Sequence, residues 1–254
     1  MSEKPKGLDE WQQMFDTIYC ERNEKRNKES ILLRLVEEIS EVSEALREEN
    51  FTLGQVARAL NKSIDEVKKD HEKIRVLEWE LPDLLAWLGA FATCVNHKLE
   101  QDVWHKYPGI CPYCLENNNC LCIAKSPNEK PQKEALEKRL DSARKNGKVP
   151  KSLLEWQKLL DSLYKKINRV QEEEVIGFHM QEELGELSRE LRKRTEMATT
   201  FSDDDLSSEI ADVFSWTIAL ASRMELNLEK ITWRKYRRVC PYCGRPVCRE
   251  GPTQ

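Results

Sequence analysis

Apolar residues recur every three or four positions along most of this chain, which is the spacing that places them on one face of an α-helix. The clearest stretch covers residues 30–48, with apolar positions at Ile31, Leu35, Ile39, Val42 and Leu46. The same spacing predicts seven other helices, at residues 8–21, 77–96, a short stretch leading into Trp104, 153–169, 173–194, 204–225 and 228–237. No segment combines alternating polarity with hairpin turns, so we expect an all-α fold.

The helical pattern occurs twice, as a tandem repeat. Residues 8–47 match residues 153–192 at a constant offset of 145. The offset then becomes 129, because the first copy has 16 extra residues, and it keeps that value through the Cys-Pro-Tyr-Cys tetrads that begin at Cys111 and Cys240. The sequence therefore predicts two four-helix modules, at residues 1–124 and 151–254, each ending in a small cysteine-rich knuckle. Residues 125–150 would be a linker that contains a charged helix.

Composition and charge restrict the classes of protein to which the chain can belong. Charged residues make up 34% of it and hydrophobic residues 39%, and the formal net charge of -4 does not favour a general nucleic-acid binder. No uncharged apolar run approaches the roughly 20 residues that a membrane span needs. The amino terminus lacks the apolar core of an export signal. We therefore expect a cytoplasmic protein without a membrane partner, and the charge balance disfavours a nucleic-acid partner although it leaves room for a local basic patch.

Pairs of acids three positions apart, which share a helical face, occur on the second and third predicted helices of each copy. They are Glu38 with Glu41 and Glu80 with Asp83 in the first copy, and Glu183 with Glu186 and Glu209 with Asp212 in the second. Such pairs are usually solvated surface, but these lie beside apolar positions, where unpaired carboxylates are costly. Four carboxylates that converge from two helices would form an all-oxygen site for Mg²⁺ or Mn²⁺ and for substrate phosphates.

The motif order EExxE and then ExxD resembles the MazG-type all-α NTP pyrophosphohydrolases, which are relatives of the dimeric dUTPases. The motifs are Glu37-Glu38-Ile-Ser-Glu41 with Glu80-Leu-Pro-Asp83, and Glu182-Glu183-Leu-Gly-Glu186 with Glu209-Ile-Ala-Asp212. Membership would imply Mg²⁺-dependent hydrolysis of a nucleoside triphosphate substrate, a (d)NTP, to the (d)NMP and pyrophosphate, with water attacking the α-phosphorus. It would also imply that the two modules pack as a pseudo-dimer within one chain, which could itself form a homodimer.

The resemblance also implies roles for individual residues. The eight paired acids would be the Mg²⁺ ligands, four for each site. Glu37 and Glu182 would orient or deprotonate the water, although a surface salt bridge fits them equally well. Lys106 and Lys235 would lie near the phosphates, although a plain surface position fits each of them about as well.

The first copy departs from the family pattern in two ways. Pro82 falls inside its ExxD motif, where it either starts or kinks the helix. Glu41 and Glu80 are 39 positions apart, against 23 for Glu186 and Glu209. The second copy therefore fits the family better.

Other side chains that could carry chemistry are given ordinary roles by the pattern. Trp87 and Trp216 fall four positions after the last acid of each copy, where core packing is expected rather than base stacking. The histidines show no mutual spacing typical of metal ligands; they are His71, His97, His105 and His179.

A cysteine cluster ends each copy. The first, at residues 111–122, has four cysteines and the second, at 240–248, has three; they are Cys111, Cys114, Cys120 and Cys122, and Cys240, Cys243 and Cys248. Four thiolates at this spacing can close a tetrahedral site, so we predict a structural Zn²⁺ in the first knuckle. We predict Zn²⁺ in the second knuckle as well, but there it would need a fourth ligand from elsewhere. Free thiols or a redox pair are the alternatives.

The 16 extra residues of the first copy fall within a helical insertion at residues 50–72. Thr52 can cap one short helix, and Ser63 with Glu66 forms a capping box for the next. The pattern resembles a small helix-turn-helix, although an α-hairpin lid is the simpler interpretation. The insertion and the knuckles suggest an alternative function, a nucleic-acid-associated scaffold or regulator with one or both acidic sites inactive. The eight intact carboxylates favour the hydrolase.

Overall fold

Helices account for most of the described chain. The computed structural model describes residues 3–47, 72–121 and 130–249. Within these ranges the helices are α1 (Leu8–Asn23), α2 (Lys28–Arg47), α3 (Glu72–Cys94), α4 (Leu99–Lys106), α5 (Lys130–Asn146), α6 (Leu153–Val170), α7 (Glu173–Thr195), α8 (Asp203–Arg223) and α9 (Leu228–Tyr236). No strand occurs in these ranges, so the all-α prediction is confirmed for them. None of these helices combines the length and the apolar character that a bilayer crossing requires.

Local capping chemistry explains several helix boundaries. Ser152, Ser202 and Asn227 precede α6, α8 and α9, and the side-chain oxygen of each accepts a hydrogen bond from a backbone N–H in the first turn. Pro82 lies inside α3, so the helix continues past a residue that has no backbone N–H to donate. Residues 50–71 of the predicted insertion lie outside the described part of the chain. Cys122 also lies outside it.

A buried glutamine ties the first helix of each repeat to the turn between the third and fourth helices of the same repeat. Gln12 Nε2 donates to the carbonyl of His97 at 3.0 Å, and its Oε1 accepts from the backbone N–H of Leu99 at 2.8 Å. Gln157 makes the same two bonds in the second repeat, at 2.7 and 3.1 Å. These bonds satisfy backbone groups that a buried turn would otherwise leave unpaired.

The last helix of each repeat packs against the other repeat. Helix α4 contacts α8, α9 contacts α3, and α2 packs against α7. The chain segments that follow α4 and α9 cross in the same way. The Cys120 N–H donates to the carbonyl of Leu163 in α6, and the Cys248 N–H donates to the carbonyl of Ile18 in α1, both at 2.7 Å. Each repeat therefore ends on the surface of the other.

One apolar core extends through both repeats in the described part of the chain. Aromatic rings from the first helix of one repeat meet rings from the end of the other. The centroids of Phe15 and Tyr236 are 5.1 Å apart, and those of Trp104 and Trp156 are 6.1 Å apart. Because each large buried side chain contributes about 1.5–3 kcal/mol, these contacts favour keeping the two repeats together.

Replacing Gln12 by methionine tests the glutamine contact. The change keeps the side-chain length but leaves the Leu99 N–H and the His97 carbonyl unpaired, so we expect the free energy of unfolding to fall by about 2 kcal/mol or more. Urea unfolding followed by circular dichroism measures the change. The control is Gln13→Met at the exposed neighbouring position, which should cost less than about 0.5 kcal/mol. Equal losses in the two variants would contradict the structural role of Gln12.

Candidate functional site

Carboxylates from α2 and α3 meet in a first acidic cluster, which consists of Glu38, Glu41 and Glu80. One carboxylate oxygen of each residue lies within 4.8 Å of the other two. The Oε2 atom of Glu38 is buried and accepts no hydrogen bond from any described residue. A buried carboxylate oxygen without a donor is costly unless a cation compensates its charge.

A second acidic cluster, built from α7 and α8, consists of Glu183, Glu209 and Asp212, whose oxygens also lie within 4.8 Å of one another. Here the Oε2 atom of Glu209 is buried and has no donor among the described residues. Both clusters offer carboxylate oxygens only, which is the donor set that Mg²⁺ and Mn²⁺ prefer. The residues therefore fit a divalent cation in both places.

The two remaining predicted ligands lie beside these triads. Asp83 is buried, and its two oxygens accept hydrogen bonds from the hydroxyls of Tyr236 at 2.6 Å and Tyr242 at 3.0 Å. Glu186 is half-exposed and pairs with Arg189 at 3.5 Å. The aspartate of the motif thus belongs to the triad in the second repeat, whereas in the first repeat two tyrosines hold it.

Burial and mutual repulsion disfavour the charged form of the clustered carboxyls. Burial is the largest cause in each case and neighbouring carboxylates add to it, so the pKa of Glu38 rises to about 8 and that of Glu80 to about 7. In the second cluster the same causes raise the pKa of Glu183 to about 7 and that of Glu209 to about 8. A bound divalent cation would remove this repulsion and take the place of the protons.

A lysine and a tyrosine of the first repeat reach the second acidic cluster. Lys106, at the end of α4, forms an ion pair with Asp212 and donates to the Ser208 hydroxyl at 2.6 Å. The hydroxyl of Tyr107 donates to the other oxygen of Asp212. Burial opposes the charge of Lys106, but the facing carboxylates outweigh it and raise the pKa of this lysine above its usual value.

In the same way, a lysine of the second repeat pairs with Asp83 beside the first acidic cluster. The Nζ atom of Lys235 lies 2.6 Å from Asp83 Oδ1 and donates to the Trp79 carbonyl at 2.8 Å. The ammonium group also lies 4.0 Å from the centroid of the Trp79 ring, a cation–π distance. Here burial prevails over the carboxylates, so the pKa of Lys235 lies below its usual value.

The leading acid of each EExxE motif lies on the solvent side of its helix. Glu37 is exposed and pairs with Arg34 at 2.5 Å. Glu182 is also exposed and lies 2.8 Å from the Nδ1 atom of His179. Neither acid belongs to an acidic triad of the described chain.

A cavity of about 240 Å³, called here the aromatic cavity, opens beside the second acidic cluster. Its rings come from both repeats: they are Tyr107 and Tyr113 from the first, and Tyr164, His179 and Trp216 from the second. The rings of His179 and Trp216 are stacked, with centroids 4.3 Å apart. The indole N–H of Trp216 donates to Glu183 Oε1 at 3.1 Å, which links this wall to the acidic cluster.

Two amide side chains, Asn168 and Gln171, also line the aromatic cavity. The Oε1 atom of Gln171 is buried and accepts no hydrogen bond from the described residues. Flat aromatic walls with an unpaired amide oxygen suit a planar ligand that has hydrogen-bonding edges.

The sequence pattern does not identify the aromatic cavity. Trp216 packs against the core, as its spacing predicts, but it also lines the cavity. His179, which has no metal-ligand spacing in the sequence, stacks on the Trp216 ring and pairs with Glu182. The one signal in the sequence is a difference between the repeats, since Gln171 and His179 correspond to arginines in the first copy.

Three sulfur atoms meet in each cysteine turn, the first at residues 111–120 and the second at 240–248. The Sγ atoms within 4.8 Å of one another belong to Cys111, Cys114 and Cys120, and to Cys240, Cys243 and Cys248. The backbone closes each turn, because the N–H groups of Leu115 and Gly244 donate to the carbonyls of Cys111 and Cys240 at 2.9 and 2.8 Å. Each turn could hold a metal such as zinc. The fourth predicted ligand of the first turn, Cys122, lies outside the described residues.

No family model matches this chain, and no curated protein or solved structure matches it. Its function must therefore be inferred from the acidic clusters, the aromatic cavity and the cysteine turns.

Removing one thiolate tests whether the cysteine turns hold metal. Elemental analysis of protein purified without chelators should find about one to two zinc atoms per chain, and Cys111→Ser should lower that number by about one and reduce the thermal stability. The control is Cys20→Ser, because Cys20 lies in α1 and belongs to neither turn. A chain without zinc, with all nine thiols open to titration, would contradict the metal assignment.

Proposed function

We propose that this protein is a Mg²⁺-dependent nucleotide pyrophosphohydrolase that converts a (d)NTP to the (d)NMP and pyrophosphate. The observation that carries the proposal is the continuity of the aromatic cavity with the second acidic cluster, since Glu183 and Asp212 belong to both. A nucleotide combines a flat base with a metal-binding polyphosphate. A ring-lined cavity beside a carboxylate cluster matches both parts.

The second acidic cluster would hold the cation through Glu183, Glu209 and Asp212, with Glu186 nearby. The buried, unpaired Oε2 atom of Glu209 supports this role. When bound, Mg²⁺ would neutralise charge on the phosphate oxygens and make the phosphorus more open to attack by water.

The chain's own residues would position the substrate around this cluster. The Lys106 ammonium is kept charged by the facing carboxylates, so it would attract phosphate oxygens. Tyr107 and Lys106 together fix Asp212, and the Trp216 indole fixes Glu183. The rings of the cavity would stack on the base and keep water away from it.

The proposal includes a pseudo-dimer of MazG type formed by the two repeats. The contacts that support it are reciprocal, because Lys106 reaches Asp212 in the second repeat and Lys235 reaches Asp83 in the first. Neither repeat would then form a complete site alone.

Glu183→Gln combined with Glu209→Gln tests the assignment in the full chain. Pyrophosphate release from a panel of canonical and modified (d)NTPs with Mg²⁺ should fall at least about 100-fold, because the amides cannot compensate the charge of the cation. The control is Glu196→Gln, at an exposed acid that pairs with Arg192, and it should keep the parental rate. Unchanged release in the double variant would exclude the second acidic cluster, and a parent chain that hydrolyses no member of the panel would contradict the proposed function.

One observation favours a second candidate function, the nucleic-acid-associated scaffold. A groove between α6 and the first cysteine turn is lined by basic side chains and two amides, which are Lys158, Lys165, Lys166 and Arg169 with Asn118 and Asn119. Basic side chains along a groove match a phosphate backbone, although Asp161 lies among them.

The salt dependence of oligonucleotide binding tests this alternative. Lys165→Gln with Lys166→Gln should reduce the slope of log K against log salt by about 1.4 for a single-stranded oligonucleotide, measured by fluorescence anisotropy. The matched control is Lys133→Gln with Lys138→Gln, at two exposed positions of α5. If the groove and control variants have the same slope, the groove does not bind nucleic acid.

A further inference from the structure

The two acidic clusters have different neighbours at equivalent positions of the repeat. Three residues that line the aromatic cavity are Ile167, Gln171 and His179. At the offset of 145 they correspond to Arg22, Arg26 and Arg34, so three arginines replace an apolar side chain, an amide and an imidazole.

The structure shows this equivalence directly for Arg34 and His179. The Arg34–Glu37 ion pair, at 2.5 Å, repeats the His179–Glu182 pair, at 2.8 Å. Glu37 directly precedes Glu38 of the first acidic cluster. Arg34 thus lies on α2, which also carries Glu38 and Glu41, whereas Arg22 lies near the end of α1 and Arg26 in the turn that joins α1 to α2.

Arginine also covers the aromatic rings of the first repeat. The rings of Tyr19 and Trp87 are stacked, with centroids 6.5 Å apart and an interplanar angle of 8°. The Arg26 guanidinium lies 5.3 Å from the centroid of Trp87, and that of Arg22 lies 5.8 Å from the centroid of Tyr19. In the second repeat the equivalent tryptophan stacks on a histidine and faces the aromatic cavity. A base that approached Trp87 would have to displace a guanidinium.

Arg34 is paired with Glu37 and Arg22 donates to Cys248 Sγ at 3.6 Å, but the positive charge of Arg26 is only partly compensated. Burial is the largest cause that lowers the pKa of Arg26, and repulsion from Arg22 and Arg34 lowers it further. Arg26 donates to Asn23 Oδ1 at 3.4 Å and forms no ion pair with a carboxylate of the described residues. Such a concentration of guanidinium groups is stabilised by a bound anion.

We propose that the first acidic cluster, together with Arg22, Arg26 and Arg34, binds an inorganic condensed phosphate such as pyrophosphate or tripolyphosphate with a divalent cation. The cation would be held by Glu38, Glu41 and Glu80, and the guanidiniums would pair with the outer phosphate oxygens. The inference rests on the proposed function in one respect, since it takes the acidic clusters to be divalent-cation sites for phosphate ligands. It makes the two sites different in ligand, with a base recognised only in the second repeat.

Calorimetric titration of the full chain with inorganic tripolyphosphate and Mg²⁺ tests the proposal. Glu183→Gln with Glu209→Gln serves as the background, so that binding reports the first site. We expect saturable binding of about one anion per chain, weakened at least about tenfold by Arg26→Gln with Arg34→His, which installs the residues of the second repeat. Arg26→Lys keeps the charge but loses the planar fork, and it should weaken binding less. Arg192→Gln, at an exposed arginine outside the site, should leave the affinity unchanged.

The nucleoside part of a ligand should add nothing at this site. In the same background, (d)NTPs should bind no more tightly than tripolyphosphate. Absence of tripolyphosphate binding, equal affinity in the Arg26→Gln/Arg34→His variant, or a (d)NTP that binds more than about tenfold tighter would each overturn the proposal. The proposed function is judged separately, by pyrophosphate release in the chain with an intact second acidic cluster.

Discussion

A buried aspartate in each repeat is paired with a lysine of the other repeat, Asp83 with Lys235 and Asp212 with Lys106. Removing one partner of a buried ion pair costs about 3–5 kcal/mol, because the remaining charge is left without compensation. The pairs therefore require that α9 stays on α3 and that α4 stays on α8. The shared core, the position of the cysteine turns and the walls of the aromatic cavity all depend on this crossing of chain ends.

The cysteine turns are connected to the acidic clusters through their tyrosines. Tyr113 and Tyr242 lie between the first two cysteines of their turns. Tyr113 lines the aromatic cavity, and the Tyr242 hydroxyl donates to Asp83 at 3.0 Å. A metal in a turn would hold its tyrosine in place, so a structural ion distant from the carboxylates would still affect the site.

The two repeats share a frame, which consists of the acidic motifs, the buried glutamine and the lysine from the opposite repeat. They differ in the side chains around this frame. The differences lie at the positions next to the tryptophan, where the second repeat has Gln171 and His179 and the first has Arg26 and Arg34. A change of charge at these positions would alter the preferred ligand while the shared acidic motifs, glutamine and lysine stay in place. Under the two proposals, one duplicated frame thus provides one site for a nucleotide and one for an inorganic anion.

The sequence alone determined the helical fold of the described residues, the repeat and the pairing of acids on shared helical faces. These are local properties, since helical periodicity and a constant offset can be read without knowing how distant segments pack. The sequence pattern did not show whether Pro82 starts the third helix or lies inside it. In the structure it lies inside α3, because that helix begins upstream of the motif, at Glu72. Only the tertiary structure decided that Lys106 forms an ion pair with Asp212 of the second repeat rather than with an acid of its own repeat. It alone also showed that Tyr113, His179 and Trp216 enclose one cavity. A cavity is a space between segments that are far apart in the chain, so its existence depends on the packing of the whole molecule.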